Sequence, residues 1–153
     1  MPWIYLAVCF AALIIIGLSF YAGRLLFLLK QQKERQNNVR NTRIYNISES
    51  VHVIAMAMEQ QQCELSEGVI RIVNLLNALP IDPQPDFKNT YPHTHALFIA
   101  ISGFATLDDR KKLSKKEKRK QDMAREQIES EFESNVLSEL PSIKAYSAEL
   151  MKG

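Results

Sequence analysis

The sequence predicts an all-α protein, with one N-terminal transmembrane helix followed by a small cytoplasmic bundle of four or five helices. Three observations predict it. Trp3 to Gly23 carries no charged side chain, and after Arg24 the apolar run resumes until Lys30. Downstream, apolar side chains recur at spacings of three and four over several stretches, the mark of one face of a helix. No run alternates with period two, and no Asn-Gly or Asp-Gly pair signals a hairpin.

The first element justifies itself by length. At about 1.5 Å per residue, Trp3 to Gly23 spans roughly 31 Å, the thickness of a hydrocarbon core. The reading places the anchor at residues 1–29, with Trp3 and Leu29 at its ends. A cleaved signal peptide would need a basic n-region and small residues before the cut. No basic side chain precedes Arg24, and Phe20 is bulky for a cut near Ala22-Gly23. Orientation follows from the flanks. Arg24, Lys30, Lys33, Arg35, Arg40 and Arg43 all follow the apolar run, so the positive-inside rule puts the N-terminus outside and the rest in the cytoplasm. Ala7 with Ala11 and Ser19 with Gly23 are small-xxx-small pairs that permit close helix packing, and hence a homo-oligomer.

Residues 30–43 have no apolar stripe and read either as a continuation of the helix for some turns or as a basic juxtamembrane linker, with cations placed to lie against anionic headgroups. Residues 44–153 form the expected helical domain. Ile44, Ile47, Val51, Ile54 and Met58 predict a helix to about Gln62. Ser66 is the expected cap of the next, whose apolar face is Val69, Ile72, Val73, Leu76 and Leu79. Pro80 should stop it, and residues 80–87, with three prolines, should be a loop. Pro92 suits the first turn of a third helix, where His95–Phe104 is nearly apolar all round and reads as a central core helix. Residues 107–113 read as a connector. Ser114 and Glu117 form a capping box that starts a long charged helix. Pro141 should break it, leaving a short final helix with Ile143, Tyr146 and Leu150.

The formal charge of +2 hides alternating blocks. Residues 24–43 carry net +5, 44–109 net −6, 110–120 net +7 and 121–153 net −4. That pattern argues against a uniformly basic nucleic-acid binder and for separate charged surfaces. The most concentrated is Arg110, Lys111, Lys112, Lys115, Lys116, Lys118, Arg119 and Lys120, eight cations in eleven residues. It is a candidate contact for anionic lipid or an acidic partner. Nucleic acid is the weaker expectation, because no aromatic residues are interleaved for base stacking.

The second candidate is polar. Cys63, Glu64, Glu67 and Arg71 cluster beside an apolar helix, and Glu67 and Arg71 stand four apart on one face. This patch reads as a partner or ligand contact, or as an ordinary intrahelical ion pair. His52, His93 and His95 show no metal-ligand spacing, and His93 and His95 would point apart on a helix. Two cysteines, Cys9 and Cys63, are too far apart in sequence and setting to form a disulfide framework. No phosphate loop, nucleophile elbow or dinucleotide fingerprint occurs, so neither a catalytic residue, a metal nor a cofactor is expected.

The anchor, the polar linker, CELSEGVIRIVNLL at 63–76, YPHTHALF at 91–98 and the basic helix together resemble an uncharacterised family of small single-pass gammaproteobacterial proteins with a domain of unknown function. The resemblance implies a bacterial inner membrane and supplies no catalytic residues. Two function classes follow: a membrane-anchored interaction or adaptor module for an unknown protein partner, and a small membrane-surface enzyme or ligand-binding domain. The missing catalytic signatures favour the first.

Overall fold

The computed structural model describes residues 1–104 and 107–153, and every regular element among them is helical. The charge-free run, the polar stretch and the first periodic stripe form one uninterrupted helix, α1 (Pro2–Glu59). Residues 30–43 contain neither Gly nor Pro and are rich in Gln, Lys and Arg, so nothing there breaks the backbone hydrogen bonding.

The chain divides into two units, residues 1–41 and 42–153. In the first, every side chain is exposed, including Trp3 at 85% and Leu29 at 60%. This part of α1 is long and apolar enough to cross a membrane, a composition shared with signal sequences.

In the second unit α1 becomes amphipathic. Ser48, Val51, Ala55 and Met58 step by three and four and are buried. The helix stops at Glu59, short of the expected Gln62. Gln61 takes the left-handed region at φ 56°, and Gln62 N–H reaches back to the Ala57 carbonyl at 2.8 Å. That backward bond satisfies a carbonyl the helix would leave open, against a cost of about 1 kcal/mol for the left-handed glutamine.

The next helix, α2 (Leu65–Asn77), starts two residues earlier than a Ser66 cap requires. Glu64 occupies the N-cap position without a side-chain bond, and the Ser66 hydroxyl donates instead to the Glu129 carboxylate. Val69, Ile72, Val73 and Leu76 are its buried face. Gly68 gives Met58 of α1 room to lie directly on α2. The helix ends ahead of Pro80, and the expected proline loop is cut short by a one-turn helix, α3 (Phe87–Thr90). Asp86 starts that turn by accepting from Asn89 N–H at 3.2 Å, and burial of Phe87 holds it.

Pro92 opens α4 (Pro92–Ser102), as expected. Thr94, Leu97 and Ile101 are buried, and the helix lies against both α2 and α6. The core reading holds for that face only, since Ile99 is 57% exposed. The expected connector at 107–113 is largely a helix, α5 (Leu107–Lys112). Asp108 and Asp109 in its first turn and Arg110 to Lys112 in its last complement the helix dipole. Residues 105 and 106, part of the link before it, lie outside the described residues.

The last helix, α6 (Lys115–Lys152), begins with the expected capping box. Glu117 N–H donates to Ser114 Oγ at 3.3 Å, and Ser114 N–H to Glu117 Oε2 at 2.9 Å. Ser114 Oγ also donates to Glu117 Oε2 at 2.7 Å, and this bond, with that from the Ser114 N–H, holds the Glu117 carboxyl below its ordinary value. Pro141 does not break α6. The proline faces solvent, while Val136, Leu140, Ile143 and Ser147 are buried on other sides of the helix. An internal proline costs about 3 kcal/mol, and burying each of three such apolar side chains recovers roughly 1.5–3 kcal/mol. Residues 143–150 are therefore the end of α6, not a separate helix. The core joins these side chains to Val51, Ala55 and Met58 of α1, the buried faces of α2 and α4, and Phe87 and Tyr91.

Candidate functional site

A surface cleft of about 560 Å³ opens where the end of α1, the start of α2 and the middle of α6 converge. The left-handed turn at Gln61 redirects the chain there, so Gln62, Cys63 and Glu64 form one wall. The other wall is α6, which presents Glu126, Glu129, Ser130 and Glu133 at spacings of three, one and three. Met58, Leu65 and Leu137 supply apolar lining.

Arg125 ties the two walls together. Its guanidinium pairs with Glu64 at 3.3 Å and with Glu129 at 3.5 Å, and Glu129 also accepts from Ser66. Glu126 and Glu133 have no cationic partner among the described residues. The cleft thus combines an apolar lining with uncompensated negative charge at its edge.

The polar group read from the sequence is split. Cys63 and Glu64 line the cleft. Glu67 and Arg71 pair with each other on the exposed face of α2 and do not line it. Burial pushes the Cys63 thiol up, Glu67 and Glu64 push it further, and Arg71 opposes them. A thiol held protonated is a poor nucleophile. The sequence marks the acidic residues of α6 only as part of the net-negative block at 121–153, not as the wall of a site. Their helical spacing was visible, but their opposition to Cys63 and Glu64 depends on how α6 returns across the unit.

The basic run is also split. Arg110 pairs with Asp122 at 2.7 Å, Lys111 with Asp108 at 3.4 Å and Lys112 with Asp109 at 3.6 Å. The cations of the first turns of α6, Lys115, Lys116, Lys118, Arg119 and Lys120, have no carboxylate partner among the described residues. Five of the eight candidate cations therefore remain available to a ligand or partner.

The histidines do not converge. His52 Nδ1 lies 3.3 Å from both the Lys144 carbonyl and Ser147 Oγ. His93 offers its backbone N–H to Glu139, and His95 stands edge-on to Phe98 with ring centroids 5.9 Å apart. Among the described residues no three or more His, Cys, Asp and Glu side chains gather as a metal site.

Comparison with known proteins agrees with the resemblance. The model of a family described as a protein of unknown function, DUF2489, matches residues 15–143. An uncharacterized protein of Haemophilus influenzae is 40% identical over 142 residues, which cover 92% of this chain and 91% of that protein. No solved structure matches.

Proposed function

The chain belongs to the DUF2489 family, whose function is unknown, and from its own residues we propose that it is a membrane-anchored interaction module. In this reading residues 3–29 span the bacterial inner membrane with the N-terminus outside. Residues 42–153 then form a helical unit in the cytoplasm that engages a protein partner through its charged surfaces. The observation that carries the reading is the charge-free run from Trp3 to Gly23, fully exposed in the structure and flanked by cations on its C-terminal side alone. Such a surface is unfavourable in water and suits a bilayer, and cations favour the cytoplasmic side. The protonated Cys63 thiol and the separated histidines support an interaction role over catalysis.

The test is a pair of reporter fusions after Gly153, combined with alkaline extraction of membranes. A fluorescent cytoplasmic reporter should be active, a periplasmic phosphatase inactive, and the chain should stay in the membrane pellet. Release by alkali, or an active phosphatase, would overturn the anchor or its orientation. Affinity purification from detergent-solubilised membranes then tests the interaction role, which predicts a stoichiometric protein partner.

A further inference from the structure

We infer that two copies of this chain pair through α6, the basic start of each helix lying at the acidic cleft of the other. The contact needs no bilayer and stands or falls independently of the anchor.

The α6 helix carries charge at both ends that it does not neutralise by itself. Lys115 and Arg119 at the start of α6 are exposed and unpaired, as are Glu126 and Glu133 at the cleft. These positions step by four, seven and seven, so all four share one face of the helix. A straight helix holds its two ends apart. Arg119 and Glu133 are separated by about 21 Å at roughly 1.5 Å per residue, far beyond side-chain reach. The carboxylates within one turn are already engaged, Asp122 by Arg110 and Glu117 by the Ser114 cap, and Glu126, about 10 Å along the helix from Arg119, makes no ion pair with it. Each end is left free to take its complement from another chain.

A second copy supplies it. Laid antiparallel along this face, the copy brings its basic turns to Glu126 and Glu133 while its own cleft receives Lys115 and Arg119. The relation is two-fold, so the contact is made twice and the assembly closes as a dimer. The cleft also fits these side chains in kind. Lysine and arginine stems can cover the apolar lining while their charged heads stay at the acidic edge. Met123, 65% exposed, lies between the basic and acidic segments, where the two helices would cross the two-fold axis.

The experiment uses the full-length chain, carried on two different affinity tags, in neutral detergent. One variant is Lys115→Glu with Arg119→Glu; the other is Glu126→Lys with Glu133→Lys. All four positions are exposed, and unchanged helical circular dichroism checks the fold of each variant. The wild type should capture itself, more weakly as salt rises. Each variant alone should lose self-capture by on the order of tenfold, because like charges then face each other. Mixing the two variants should restore capture, since both contacts become complementary again. A wild type that does not self-associate, or variants that self-associate as the wild type does, would overturn the pairing. So would a mixture that fails to recover. If the only effect of Lys115→Glu with Arg119→Glu is lost binding to anionic vesicles, the basic turn serves lipid and the pairing is equally overturned.

Discussion

Glu139 supplies from α6 the cap that α4 cannot provide for itself. Tyr91 holds the N-cap position of α4 and makes no side-chain cap bond. The Glu139 carboxylate accepts instead from the N–H groups of His93 and Thr94, both at 2.9 Å, and from Thr94 Oγ1 at 2.7 Å. Negative charge at a helix N-terminus is favourable, and a lost cap typically costs about 1 kcal/mol. Thr94 is buried, so removing its acceptor adds a desolvation term. Glu139→Ala should therefore destabilise the protein by about 1–3 kcal/mol in urea unfolding, and Glu139→Gln by less. An unchanged midpoint for Glu139→Ala would show that water replaces the carboxylate. The Ser114–Glu117 box was legible in the sequence because its partners are three residues apart. The caps of α2 and α4 were not. The Ser66 hydroxyl is drawn away by a carboxylate 63 residues distant, and Thr94 is served by one 45 residues distant.

At the scale of elements, periodicity located the helices better than the stop signals did. The stripe at 44–58 sits on α1, with Val51 and Met58 buried and Ile44, Ile47 and Ile54 half-buried, and the stripe from Val69 to Leu76 sits on α2, with Leu79 buried just past its end. Proline proved the less reliable guide. Pro92 does open α4, yet Pro141 lies inside α6. The difference is packing: Pro141 sits between buried Leu140 and Ile143, and keeping both in the core requires the helix to continue. The strain should then be recoverable. Pro141→Ala restores a backbone donor at an exposed position and should raise stability by about 1–2 kcal/mol, offset in part by greater freedom of the unfolded chain. Chemical denaturation of the two proteins side by side measures it. A less stable variant would mean that the proline shapes a bend on which the core depends.

At the scale of the molecule, every fully buried side chain lies between Ser48 and Ser147, within the second unit. A fragment beginning at Thr42 should accordingly be soluble, helical and cooperatively folded without detergent. Ile72, 0% exposed, tests its core. Ile72→Asp should cost more than about 3 kcal/mol, because an unpaired charge would enter an apolar interior. Thermal unfolding followed by circular dichroism reads both results. Aggregation of the parent fragment would show that residues 1–41 take part in the fold.

What the sequence determined by itself was whatever depends on neighbours along the chain. The all-helical class follows from apolar spacing, the α6 start from a capping box, and the membrane-length helix from an unbroken run without charge. The tertiary structure decided whatever depends on residues far apart in sequence. It continued α6 through Pro141, since burial outweighed a missing hydrogen bond. It separated Glu67 and Arg71 from Cys63 and Glu64, since the α2 helix turns the first pair outward. It also neutralised Arg110 through Asp122 and left the five cations from Lys115 to Lys120 with no carboxylate partner among the described residues, since ion pairing requires approach within a few ångströms. The acidic cleft is of the same kind: its two walls are about sixty residues apart, and only the return of α6 across the unit brings them face to face.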